Sequence, residues 1–167
     1  AFSQCTTLLT VTIPESVTNI GLCAFHDTGY YNDESNWENG ALYIDYRLIS
    51  VSTDFEGELT IKNGTRIIAD HAFYQCTSLT SVNIPTSVTS IGNCAFAYCI
   101  ELTDIFIPNS VISIGNYAFG LCRSLTDIII SDGVINIDDR AFESCSSLTS
   151  ITIPASVASI GDSVFFG

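Results

Sequence analysis

The chain has 167 residues, the size of a single domain, and 47% of them are hydrophobic, which excludes a disordered segment. Five basic residues face 18 acidic ones, for a net charge of -13. Arg47, Lys62, Arg66, Arg123 and Arg140 are scattered along the chain. Nucleic acid, which needs clustered cations, is excluded as a partner, and an anionic membrane surface is disfavoured for the same reason. No apolar run reaches 18 residues, so no insertion into a membrane is expected of this segment.

Phenylalanine recurs at 73, 96, 119, 142 and 165, each step being 23 residues, and Phe2 and Phe25 keep the same spacing. A fixed period of this length is the mark of a solenoid. Seven units fit the chain: 2–24, 25–49, 50–72, 73–95, 96–118, 119–141 and 142–164. In one unit the apolar positions are Phe96, Cys99, Leu102, Ile105, Ile107, Val111, Ile114 and Ala118. Ile91, Ala95, Phe96, Cys99 and Leu102 are spaced as one face of a helix, which predicts a short helix in every unit. Ile105 and Ile107 then alternate with Asp104 and Phe106, the spacing of a strand, and Pro108 ends it. A second extended piece runs from Val111 to Ile114. One unit buries too little to hold its own backbone in order, so neighbours must stack with their strands parallel.

The chain is therefore expected to be a right-handed parallel solenoid of about seven rungs. Strands are expected near 10–13, 58–61, 81–84, 104–107, 127–130 and 150–153. The first regular unit is followed by an irregular insert at about 26–58 that lacks the repeat signature. There Leu42 and Ile44, then Leu48 to Val51, read as a hairpin around Asp45 and Tyr46, and the ladder phenylalanine position falls on Ser50. The insert concentrates aromatic and acidic residues: Tyr30, Tyr31, the lone Trp37, Tyr43, Tyr46 and Phe55 lie among eight carboxylates. Such a mixture either covers a long loop or recognises a partner.

Residues 79–99, LTSVNIPTSVTSIGNCAFAYC, carry a pattern that resembles the BspA-like leucine-rich repeat. The resemblance runs through nearly the whole chain. It implies an α/β repeat with a parallel strand sheet on one face and short helices on the other, forming one domain over 1–167. It also implies a hairpin-bearing irregular unit, a cell-surface or secreted location, and an adhesive role toward a protein or glycoprotein, host matrix or another cell surface. Ala1-Phe2 begins, and Val164-Phe165 ends, inside the repeat motif, which predicts a fragment of a longer chain.

Cys5, Cys76, Cys99, Cys122 and Cys145 all follow the ladder Phe by three residues and are expected to form a buried, reduced, metal-free column. Cys23 and Cys94 are expected nearer the surface. No C-x-x-C pair suggests zinc, and no nucleophile, histidine or phosphate-loop motif suggests catalysis or a cofactor. His71 is expected to be a solvated surface residue. Gly21, Gly92, Gly115 and Gly161 read as turn glycines, with Asp138 in one unit tolerating the same left-handed backbone. Asn63-Gly64-Thr65 has the form of a glycosylation sequon.

The outward strand positions form two columns. One holds Glu58, Ser81, Asp104, Asp127 and Ser150, and the other Thr60, Asn83, Phe106, Ile129 and Thr152. An apolar pair, Phe106 and Ile129, beside Asp104 and Asp127 on an otherwise hydroxylated face is a candidate partner-binding site. Tyr30, Tyr31 and Trp37 of the insert are expected to assist it. The competing reading is a structural spacer whose repeats only hold other domains apart.

Overall fold

A computed structural model describes residues 1–167. In chain order the elements are a one-turn helix α1 (Gly29–Asn32), β1 (Trp37–Glu38), β2 (Ala41–Ile44), β3 (Arg47–Val51), β4 (Gly57–Thr60), β5 (Ile67–Ile68), β6 (Leu79–Asn83), β7 (Ser90–Ile91), β8 (Asp104–Ile107), β9 (Ser113–Ile114), β10 (Asp127–Ile130), β11 (Asn136–Ile137) and β12 (Ser159–Ile160). They form two sheets. One is a four-stranded parallel sheet in the order β10-β8-β6-β4, from the strand positions anticipated for the regular units. The other is built from the second extended pieces and runs β1-β2-β3-β5-β7-β9-β11-β12. The first three of its strands pair antiparallel and all later neighbours pair parallel.

The alternation in β8 and β10 has the expected outcome. Ile105, Ile107, Ile128 and Ile130 are buried, while Asp104, Phe106, Asp127 and Ile129 face out. Between the sheets lies a core in which Phe73, Phe96, Phe119 and Phe142 are fully buried and stacked with Phe165. The ring centroids are 4.4–5.6 Å apart, with planes within 4–15° of parallel.

The expected helices are not formed in the repeats, where the stretch after the second sheet is a chain of tight turns. Cys94 and Tyr98 adopt left-handed φ of 51° and 64°, and their equivalents on other rungs do likewise. The physical reason lies in where the amides point. Alternate N–H groups close local turns, as from Ala95 to the Gly92 carbonyl and from Ala97 to that of Cys94. The others leave the turn for the next rung: Cys94 donates to Asn116, Phe96 to Ala118 and Tyr98 to Gly120, at 2.7–2.9 Å. A helix would turn all of them inward and forfeit this inter-rung ladder. The three-residue turns reproduce the apolar spacing of a helix, which is why the pattern reads as one.

Two further expectations are corrected. Residues 10–13 and 150–153 make no strand, although Ile151 and Ile153 still pack on the core. The regular coil comprises five rungs, marked in the second sheet by β5, β7, β9, β11 and β12, rather than seven. The turn glycines are not left-handed, and neither is Asp138. Gly92 and Gly161 are needed for close approach instead, because a Cβ there would fall 2.6 Å from the Asp70 amide and 2.4 Å from that of Asp139.

The insert does form the expected hairpin, β2 and β3, turning at Asp45 with φ 53°. Its second strand then opens the parallel ladder by pairing with β5. The hairpin also clamps the first unit. The Asp45 carboxylate accepts from the Ile13 amide at 3.0 Å. Fully buried Arg47 donates to the carbonyls of Ile13, Pro14 and Val17 at 3.3, 2.7 and 2.8 Å. Arg47 thus supplies the donors that a regular neighbouring strand would otherwise provide.

Phe119→Ala should lower stability by about 3–5 kcal/mol in denaturant unfolding. Phe106→Ala, outside the core, should cost less than about 1 kcal/mol. Arg47→Met strands three carbonyls and should cost about 3 kcal/mol or more. Its signature in hydrogen exchange is loss of protection across residues 1–25 before the rungs from Ile67 onward respond.

Candidate functional site

The strand face places Ile129 directly beside Phe106 and Asp127 beside Asp104, in parallel register. Phe106 and Ile129 are 52% and 54% exposed, high values for large apolar side chains. Asp104 accepts a hydrogen bond from the Thr103 hydroxyl at 2.8 Å, and no ion pair involves either aspartate. The pair is flanked by Ser81 and Asn83 on the neighbouring strand. The outward columns thus form a small apolar centre with an adjacent pair of carboxylates that have no ion-pair partner in the chain.

Tyr30, Tyr31 and Trp37 do not join this face. All three are partly buried and pack on a second, smaller core made by Ile13, Ile20, Phe25, Leu42, Ile44, Ile49 and Ala69. The Tyr30 hydroxyl donates to the Tyr43 carbonyl, and the Trp37 indole N–H to the Tyr31 carbonyl at 2.8 Å. Tyr31 and Trp37 meet edge to face at 5.2 Å, and His26 lies 5.0 Å from Tyr31. Thr28 caps the short helix that carries both tyrosines and is itself fully buried.

Tyr31 and Trp37 instead border a trough of about 620 Å³, whose other side is formed by Asp70, His71 and Tyr74. Its origin is a missing turn. Val51 occupies the ladder position: its amide donates to Ala72 at 2.7 Å, and its carbonyl faces the Cys76 thiol as other ladder carbonyls face theirs. The aromatic equivalent is therefore Val51 and not Ser50. Here the chain stays extended through Ile49–Val51, while the flanking turns at 21–26 and 69–74 stand up as walls. His71 lines this trough and meets the Tyr74 ring at a tilt, 4.9 Å away, so it is half-buried rather than freely solvated. Burial lowers its pKa below the ordinary histidine value.

The cysteine column holds from Cys76 to Cys145, all free and buried, but Cys5 is exposed and stands outside it. Sequence spacing does not reveal the column's bonding. Cys99, Cys122 and Cys145 each donate to the carbonyl of the ladder Phe one rung earlier, at 3.2, 3.1 and 3.1 Å. Burial pushes the thiols of Cys76 and Cys145 up to about 12 and those of Cys99 and Cys122 well above the usual range. Cys23 is exposed and Cys94 half-buried. Titration of the native protein with a thiol reagent at neutral pH should modify Cys5 and Cys23 first, Cys94 more slowly, and the four ladder thiols only on unfolding.

A coil whose successive rungs add parallel strands to two sheets, with an aromatic ladder in its core, is a leucine-rich-repeat solenoid. The family model for the BspA type leucine rich repeat region matches residues 1–45 and 52–167 in six copies, and the chain belongs to that family. The gap at 46–51 coincides with β3, where the rung is irregular. Among solved structures, a leucine-rich repeat protein from Bacteroides ovatus is 28% identical with a TM-score of 0.63, covering 100% of this chain and 43% of the other. The Treponema pallidum leucine rich repeat protein is 29% identical with a TM-score of 0.52, over 64% of this chain and 61% of its own. A leucine rich cell surface protein from Faecalibacterium prausnitzii is 33% identical with a TM-score of 0.47, over 63% and 35%. The chain thus spans less than half the length of the Bacteroides ovatus protein. A search of curated proteins finds no significant match. No helix is long and apolar enough to cross a membrane.

Proposed function

We propose that this chain is a non-enzymatic binding module of a surface-exposed or secreted protein, and that it grips a protein or glycoprotein partner through its strand face. The observation that carries the reading is the adjacent pair Phe106 and Ile129, half-exposed and in register, with Asp104 and Asp127 beside them. Desolvating an exposed aromatic at the centre of an interface contributes about 2 kcal/mol or more, whereas a face of Ser and Thr contributes little. The carboxylates, unpaired within the chain, would draw a basic region of the partner toward the apolar centre. A spacer has no need of such a centre, and the remaining outward residues of both columns, which are small or polar, are what a spacer would carry throughout. Membership of the repeat family supports a surface location and an adhesive role toward host matrix or another cell.

The test is binding of the chain to immobilised extracellular-matrix proteins and to whole cells. Saturable binding that weakens as salt rises is expected. Phe106→Ala with Ile129→Ser should weaken it about 30-fold or more without lowering the melting temperature appreciably. Binding that ignores both substitutions would remove the strand face from the interface. Absence of binding to any matrix or cell surface would favour the spacer.

A further inference from the structure

We infer that the trough beside the insert is a second binding site, separate from the strand face, and that it receives a lysine or arginine side chain from an extended segment of a partner protein. Trp37 and Tyr31 line one side, His71 and Tyr74 the other, and Asp70 belongs to the same wall as His71. No lysine or arginine lines the trough, in a chain of net charge -13. A cation over aromatic faces with a carboxylate nearby is stabilised both by the ring quadrupoles and by the ion pair. The chain itself uses this pairing elsewhere: Arg47 and Arg66 lie over Tyr46 at 4.4 and 5.0 Å, and Lys62 over Tyr43 at 5.7 Å. In the trough the aromatic faces and the carboxylate are present and the cation is not.

Two details favour a peptide over a free small cation. The volume, about 620 Å³, exceeds that of one side chain and accommodates backbone on either side of it. The floor carries the hydroxyls of Ser50 and Thr53, which can donate to and accept from an extended backbone, while that of Ser52 already donates to Asp54. His71 Nδ1 is buried without a hydrogen-bond partner, a polar atom that a ligand N–H or a bridging water would satisfy. Asp70 is held in place, its two oxygens accepting from the amide and the side chain of Asn93 at 2.8 and 3.2 Å. The same column carries Asn93 and Asn116 on the next two rungs, so an asparagine at 70 is compatible with the turn.

The only tryptophan of the chain, Trp37, stands in this site and supplies the readout. The full chain is titrated with N-acetyl-Gly-Arg-Gly-amide, its lysine counterpart and the neutral citrulline counterpart, following Trp37 emission. Saturable binding of the arginine or lysine peptide is expected, with the citrulline peptide weaker by about tenfold. Asp70→Asn, which keeps the turn, should weaken the cationic peptides by a similar factor, about tenfold, and remove the preference over citrulline. Tyr74→Ala should weaken them as well, while Phe106→Ala should leave them unchanged. Equal binding of the citrulline peptide, an Asp70→Asn variant that binds like the parent, or no saturable response to either cationic peptide would each overturn the assignment. Loss of peptide binding in Phe106→Ala would also overturn it, by placing the effect on the strand face. The strand-face proposal stands or falls on matrix binding alone.

Discussion

Everything in this molecule depends on one translation being repeated without error. Stacked phenylalanine rings with nearly parallel planes require each rung to sit over the last with almost no rotation. Ladders only two residues long, as in β7 with β9, can then stay in register because the rings and the turn amides enforce it from both sides. The strand face inherits the same alignment. Phe106 and Ile129 meet because the ring stack beneath them places residues 23 apart next to each other, so a surface feature is set by the core.

At the insert the translation is interrupted. Val51 in place of a phenylalanine lets the backbone remain extended, and the space released becomes the trough. The first unit would then face a hairpin with too few matching backbone donors. Arg47 and Asp45 supply the missing pairs across 30 or more residues of sequence. Because Arg47 is fully buried, its charge relies on the three carbonyls together with the Asp45 carboxylate 3.9 Å away and the Tyr46 ring, which makes this joint specific to its partner segment.

Much of this is legible in the sequence, for reasons that differ from residue to residue. The alternation of Ile105 and Ile107 with Asp104 and Phe106 is a local signal, and its strand and exposure both come directly from it. The hairpin is equally local, since Asp45 suits the left-handed turn. The turns after each second strand are not, because the left-handed backbones of Cys94 and Tyr98 aim their amides at carbonyls of the next rung, which lie far along the chain. The trough is hidden for a related reason. His71 and Tyr74 carry no signal alone, and the clue is the absent ladder aromatic, displaced by one residue from where simple counting puts it. The two halves of the candidate site are similarly separated by architecture: strand positions open on one side, turn positions on another.

Short ladders stacked in series have a mechanical consequence. Tension applied along the stacking axis loads each boundary between rungs in turn, and each boundary is held by the same set of strand ladders, turn hydrogen bonds and core contacts, one ring pair among them. A rung that gives way releases 23 residues, roughly 80 Å of contour length. The neighbours keep their own pairs, so the chain lengthens in steps instead of failing at once. The Arg47 joint interrupts that series with a different strength from the rest, so under load the first unit and the regular coil behave as two springs of unequal stiffness.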